Sequence, residues 1–386
     1  MLPGGLTVVP FVTLVLLVAL SCAAEAQPAS VLGGSAVAAA LQPFVDRRAL
    51  AGAVVLVASK DKVLSVDAVG FADVTAKKAM PPDALFWVAS QSKPVTATAF
   101  MMLVDEGKVN VEDPVEKYLP EFKDQMLAAG DPKNPSLQKP AHPITVREVL
   151  THTSGLPYSS KQEQPTLDLL PLREAVKTYA QAPLQSEPGT KYEYSNAGIN
   201  TAGRIIEVVS GMPYEEFLQK RLFDPLGMKD TTFWPNDEQL LRLAKSYKPN
   251  AAKDGLEEIP IGQLKYPLND RAKRFPMPAG GLFSTAHDMG RFCQMVLNGG
   301  ELDGKRYLSE AAVKQMTSKQ TGAAIQDGYG FGWGVGDGWC GHGGAYSTNM
   351  TIDTRHGLIF VYLVQHAGFP LDGDKSQDAF RHAAQR

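Results

Sequence analysis

Cysteine is scarce, with only Cys22, Cys293 and Cys340 in 386 residues. That excludes a small disulfide-framed fold and a cysteine-rich metal module. Charge of one sign is lacking too: 38 Lys and Arg stand against 41 Asp and Glu, for a formal net charge of −3. No run of like charge makes a stripe for a polyanion, so nucleic acid is not an expected partner. Gly-x-Ser-x-Gly does not occur, which argues against the nucleophile elbow of the α/β-hydrolases. Neither does His-Glu-x-x-His, and the seven histidines are scattered. No catalytic metal and no cofactor is therefore expected. Internal repeats and low-complexity tracts are also missing.

What remains is an ordinary globular composition, 44% hydrophobic and 20% charged with 35 Gly and 27 Pro, in a chain long enough to build a deep pocket. Length alone allows two or three domains of about 150 residues, or one core shared between two lobes. Residues 1–26 read as a signal peptide: an apolar stretch from Val8 to Leu20 precedes Ala24-Glu25-Ala26, a small-x-small cleavage site. The expected location is exported, periplasmic or extracellular. Met1 to Gly5 carries no Lys or Arg, and Cys22 offers a rival reading as a lipid-modified cysteine. A retained N-terminal anchor is the third reading, and no other membrane association is expected. Cys293 lies in the apolar helical pattern Met289 to Leu297, so it and Cys340 are expected as free thiols, although sequence fixes no distance between them.

The periodicity has three zones. A helix is expected between Val37 and Arg47, around Pro43, followed by a hairpin of β-branched and apolar runs, Ala53 to Ala58 and Val63 to Val69, with a third short run at Ala84 to Val88. Helical patterns then dominate: Val95 to Val104 up to Gly107, Val146 to Leu150, Ala197 to Val209 up to Gly211, Pro213 to Leu222, and Ala286 to Leu297. Long polar connections, Ala128 to Pro143 and Asn236 to Pro276, separate them. Strand patterns return at Tyr329 to Val335, Trp339 to His342, Thr348 to Asp353 and Leu358 to His366, and a helix from Ser376 to Ala384 closes the chain. The fold class implied is α+β: an antiparallel sheet formed by both chain ends with flanking helices, plus an inserted, mostly helical lobe. Residues 27–386 read as a single two-lobed domain, its sheet lobe about 37–89 and 325–386 and its helical lobe about 90–324.

Ser-x-x-Lys occurs three times. Ser59 with Lys62 falls on a hairpin tip, and Ser136 with Lys139 in a Pro-flanked loop. Ser90 with Lys93 is placed differently, after an apolar strand and at the start of an apolar helix. The two side chains are then one turn apart on one face, and Pro94 is tolerated because first-turn N–H groups have no intrahelical acceptor. Alone, the pair is more often a helix cap beside a solvated lysine. Two further motifs stand downstream in order. Tyr194-Ser195-Asn196 is the sole Tyr-x-Asn and follows Pro188-Gly189-Thr190, and His342-Gly343-Gly344 lies on a terminal strand, where glycines permit close approach.

Together the three motifs resemble the set of the β-lactamase-related serine hydrolases, which include class C β-lactamases, D,D-carboxypeptidases, D-aminopeptidases and carboxylesterases. Leu150-Thr151-His152-Thr153-Ser154-Gly155-Leu156 and Gly280-Gly281-Leu282-Phe283-Ser284-Thr285 resemble that family as well, and the likeness runs from about Leu41 to Gln365. The resemblance implies a β-lactamase/transpeptidase-like fold. It also implies roles: Ser90 as nucleophile, Lys93 as its base, Tyr194 sharing proton transfer to the leaving group, and Asn196 orienting Lys93 and substrate. The backbone N–H groups of Ser90 and Ala345, beside Gly344, would form an oxyanion hole. An unperturbed lysine, pKa about 10.4, would be neutral in about one molecule in two thousand at pH 7. Lys93 must therefore be shifted by burial and by a neighbouring like charge, and is expected to be buried.

His342 departs from the penicillin-recognising pattern, which has lysine there. A free histidine, pKa about 6.5, carries charge in about a quarter of molecules at pH 7, which favours small esters over carboxylate-bearing β-lactams. The expected function is a serine hydrolase acting through an acyl-enzyme, a carboxylesterase on small esters with weak β-lactam hydrolysis as a side activity. The alternatives are a β-lactamase, D,D-carboxypeptidase or D-aminopeptidase and, in another class, a non-catalytic peptidoglycan-binding or filament-forming scaffold. Three intact motifs argue against the scaffold. Its partner is then a small ester or amide. Trp333, Trp339, Tyr158 and Tyr329 read either as an acyl pocket or as core.

Overall fold

The computed structural model describes Met1 and residues 34–131 and 135–385. The signal segment expected over residues 1–26 lies, Met1 apart, outside the described residues. Seven strands form one antiparallel sheet: β1 (Gly52–Ser59), β2 (Val63–Asp73), β3 (Lys78–Ala79), β4 (Gly334–Gly336), β5 (Trp339–Gly343), β6 (Asn349–Asp353) and β7 (Leu358–Leu363), in the order β4-β5-β6-β7-β1-β2-β3. β1 pairs with β7 from Val54↔Leu363 to Ser59↔Leu358, so the two chain ends meet in the middle of the sheet, as the sequence implied.

Both faces of β1 are buried, which is why it reads as an unbroken apolar run instead of an alternating one. Val55 and Val57 pack with Leu41 of helix α1 (Gly34–Asp46) and Phe380 of the C-terminal helix, whereas Val54 and Leu56 face the main core beneath the helical lobe. That lobe contains α2 (Ser92–Asp105), α3 (Leu172–Gln181), α4 (Asn196–Ser210) and α5 (Ala286–Leu297); α6 (Ser376–Ala384) closes the chain. The stop at Gly211 is left-handed, φ 69°, a conformation glycine adopts without strain. Pro213 to Leu222 forms a helix over Tyr214–Leu218 and a π turn over Gln219–Phe223.

Three expectations are corrected. Tyr329 to Val335 is not a continuous strand: Gly334–Gly336 pairs with β5, and Tyr329 keeps only an isolated bridge to Gly334. A Cβ on Gly332, φ +70°, would lie 2.7 Å from the Lys93 carbonyl oxygen. The segment uses this glycine to press its backbone onto α2, and the ladder is lost there. Ala84 to Val88 contributes only a two-residue strand, Phe86–Trp87, paired with Phe283–Ser284. The connection Asn236 to Pro276 is not structureless, holding a helix at Asp237–Arg242 and a hairpin of Ser246–Pro249 with Leu256–Ile259. Cys293 and Cys340 are buried free thiols.

Candidate active site

The chain turns sharply between Phe86–Trp87 and α2. Ala89 takes φ +47°, a strained value for a side chain with a Cβ, and Ser90 stands in a single 3-10 turn, Ala89–Gln91, ahead of α2. Ser90 therefore precedes the helix and does not begin it. The turn is tied down: Val88 N–H donates to Leu282 O at 3.0 Å, and Ser92 Oγ donates to Ala89 O at 2.7 Å.

Lys93 is fully buried, as its expected chemistry demanded. Its Nζ lies 3.0 Å from Ser90 Oγ, 2.8 Å from Asn196 Oδ1 and 2.6 Å from the Ala279 carbonyl oxygen. A carbonyl oxygen and an amide oxygen only accept. A neutral amine spends its two N–H bonds on them, and its lone pair is left facing the serine hydroxyl. Burial alone pulls the Lys93 amine well below its ordinary value. The expected neighbouring like charge is not its cause.

Tyr194 lies across Lys93, with Nζ 4.6 Å from the ring centre. Burial pushes its phenol above the ordinary range, and a hydrogen bond with Ser90 opposes that. The tyrosine is held through its neighbours. Glu193 N–H donates to His152 O at 2.8 Å, and Ser195 N–H donates to His152 Nδ1 at 3.1 Å. The His152 ring sits 4.5 Å from the Tyr194 ring. His152, buried and at φ +61°, thus grips the backbone on both sides of Tyr194. Since Nδ1 accepts, the neutral ring carries its proton on Nε2. Burial above all holds its pKa well below the usual value, and Lys93 adds to this only when it is protonated. Ser195 caps α4 by accepting from Gly198 N–H at 3.0 Å, which sets Asn196 at the first helical position, facing Lys93.

His342 comes from the end of β5, 6.2 Å ring to ring from Tyr194. Tyr329 Oη lies 3.0 Å from its Nε2, and its Nδ1 lies 2.6 Å from the Gly343 carbonyl oxygen. The carbonyl can only accept, so Nδ1 bears the proton and Nε2 accepts from Tyr329. Burial above all pushes His342 down to about 3, with Lys93 adding to this only when it is protonated. At neutral pH the ring is uncharged, further from a lysine mimic than the free-histidine value implied. Gly344 is required by packing: a Cβ there would lie 2.2 Å from Thr348 Oγ1 and 2.6 Å from the Val88 carbonyl oxygen. The next residue, Ala345, turns away from the strand, and its N–H, like that of Ser90, has no acceptor among the described residues.

Ser90, Lys93, Tyr194, Asn196 and His342 are thus brought together, with Gly344 against the turn that carries Ser90. Of the aromatic candidates, Tyr158 is half exposed and stacks 6.5 Å from Tyr194, Tyr329 holds His342, and Trp339 lines the adjacent cavity. Trp333 is core, stacked on Phe292. Sequence reasoning missed Ala279 and the grip of His152. Ala279 acts through a carbonyl that every residue has. His152 stood in a segment singled out for its resemblance, but nothing in the pattern aimed it at Tyr194.

A serine paired with a buried lysine and faced by a tyrosine, beneath an edge of an antiparallel sheet, is the arrangement of a serine hydrolase. The chain belongs to the Beta-lactamase family, whose model matches residues 37–384. An uncharacterised Mycobacterium tuberculosis protein is 33% identical over 85% of this chain and 89% of its own. The lovastatin esterase of Penicillium rubens is 30% identical over 78% of this chain and 84% of its own. Among solved structures, EstCE1, a hydrolase with promiscuous acyltransferase activity, superposes with a TM-score of 0.77 at 26% identity, covering 91% of this chain and 98% of that one.

Proposed function

We propose that this protein is a serine carboxylesterase acting on small esters through an acyl-enzyme, with β-lactam hydrolysis as a weak side activity. The observation that carries the mechanism is the set of acceptors around Lys93. Ser90 Oγ attacks the ester carbonyl while its proton passes to the neutral Lys93 Nζ. The oxyanion is received by the N–H groups of Ser90 and Ala345. Tyr194, kept protonated by burial, gives its proton to the departing alkoxide and recovers one from Lys93. Water then enters along the same route, losing its proton to Lys93 as it attacks the acyl carbon, and Lys93 passes that proton to Ser90 Oγ as it departs, which releases the acid and restores both groups. Asn196 holds Lys93 by its amide oxygen.

The ester preference is supported by the neutral His342, which offers no fixed cation to a β-lactam carboxylate, and by the esterase relatives. The two lobes would act as one catalytic domain over residues 27–386, exported by the segment at 1–26; N-terminal sequencing of the secreted protein would find Gln27 first. The deciding measurement compares kcat/KM for p-nitrophenyl butyrate, nitrocefin and D-Ala-p-nitroanilide. The ester is expected to lead. A nitrocefin or anilide value about tenfold above the ester, a difference of about 1.4 kcal/mol in transition-state stabilisation, overturns the preference. Absence of Ser90 labelling by a fluorophosphonate in folded protein overturns the mechanism and returns the scaffold reading.

A further inference from the structure

A neutral His342 leaves open how the site treats a substrate that does carry a negative charge. The cavity beside it gives an answer. About 710 Å³ in volume, it starts at Tyr194 and His342, passes over Gly343 at the edge of β5 and ends against α6, where Arg381 enters its wall. Gly343 leaves the floor open, since a Cβ there would meet nothing closer than 3.7 Å.

The charges along this passage are unevenly committed. Asp353 accepts from His356 Nδ1 at 2.8 Å and from the N–H groups of Arg355 and His356, both at 3.0 Å. Asp337 is ion-paired with Arg355. Asp327 lies at the opposite end, beside Tyr192. Arg381 has only neutral partners: Nη2 donates to Asn349 Oδ1 at 3.1 Å and to Thr351 Oγ1 at 2.5 Å. No carboxylate among the described residues pairs with it; Asp378 and Asp353 act on it only at longer range. Its guanidinium is partly buried, and that burial lowers its pKa. A half-desolvated cation held by an amide and a hydroxyl keeps unused N–H donors in the planar fork that suits a carboxylate.

We propose that Arg381 forms a distal subsite of the active site, which selects esters carrying a carboxylate on the arm that runs from Ser90 along the Gly343 edge. The proposal rests on the acyl-enzyme reading for the reaction, and on the cavity and a guanidinium whose hydrogen-bond partners are all neutral for the substrate class. It differs from carboxylate recognition at the position of His342, because the cation lies on the other side of β5, on the closing helix.

Two ester series test it. One sets mono-p-nitrophenyl succinate, adipate and suberate against p-nitrophenyl butyrate, hexanoate and octanoate, placing the carboxylate on the acyl arm. The other sets 3-carboxyphenyl butyrate against phenyl butyrate, placing it on the leaving arm. In at least one series the carboxylate-bearing member is expected to show a KM lower by about tenfold, and Arg381→Gln to reduce that ratio by about tenfold, with Arg381→Lys between them. No discrimination in either series by the wild type, or a ratio unchanged by Arg381→Gln, overturns the subsite. Should no ester be hydrolysed at all, the ester reading fails separately. The subsite is then read by whether free suberate slows fluorophosphonate labelling of Ser90 in the wild type and not in Arg381→Gln; equal slowing in both, or none in either, overturns it.

Discussion

At the scale of the residue, the site turns on one amine that the fold forces to stay neutral. Lys93 has no exposed surface, and its pKa lies well below the unfolded value of about 10.4. Between the two values the unfolded chain binds a proton that the folded chain does not, so stability rises with pH and is lost as pH falls below about 10.4. The slope reaches about 1.4 kcal/mol per pH unit where that linkage is complete. Lys93→Met removes the linkage. It is expected to lose about 10³-fold in kcat/KM, and its stability relative to wild type should decline in urea titrations as pH is raised toward about 10.4, over the range between the folded and unfolded pKa values. A difference that does not change with pH would mean that Lys93 is charged in the folded state. His152 gives a second test. An asparagine in its place could tolerate the positive φ and offer Ser195 N–H an oxygen, whereas alanine offers none. His152→Ala should therefore lower kcat by about 10²-fold with little change in KM, and His152→Asn should recover about tenfold of it. Equal losses in two folded variants would reduce His152 to packing.

At the scale of the element, strand ends and turns carry the site. The end of β5 touches the Ser90 turn where Gly344 meets Val88, and Gly344 N–H donates to Thr348 O at 2.7 Å. Gly344→Ala must push β5 away from that turn and move apart the Ser90 and Ala345 N–H groups proposed to receive the oxyanion. The expected result is a loss of about 10²-fold in fluorophosphonate labelling of Ser90 with the far-UV spectrum preserved; wild-type labelling would separate the strand from the hole. These elements differ in how far the sequence exposed them. Helices with capping and stop residues were legible nearly to the residue, as with Ala286–Leu297 and the stop at Gly211. Tyr329 to Val335 was misread because its apolar pattern is satisfied by packing, Trp333 on Phe292 of α5 and Gly332 against α2, and not by a ladder, contacts that no local periodicity encodes. The site divides along the same line. Ser90, Lys93, Tyr194 and His342 stand in compact motifs, whereas Ala279 and Arg381 matter only through long-range placement, one as an anonymous carbonyl and the other as one more arginine on a polar helix face.

At the scale of the whole molecule, the sheet separates two kinds of core. One face meets α5 and the lobe that holds Ser90; the other is covered by α1 and α6, from the two ends of the chain. Closing the β1–β7 seam therefore requires contacts some three hundred residues apart in sequence. The helices over the far face stabilise that seam without reaching the reacting atoms. Leu41 of α1 is fully buried there with Val55 and Val57. Truncating it leaves an apolar void, so Leu41→Ala is expected to cost about 2–5 kcal/mol in urea unfolding. Turnover of p-nitrophenyl butyrate, measured well below the melting range, should stay within about twofold of wild type, because the void opens on the face turned away from Ser90. Equal loss of stability and turnover would instead show that the seam transmits strain through β1 and β7 to the β5 edge, and that the two faces of the sheet are one mechanical unit.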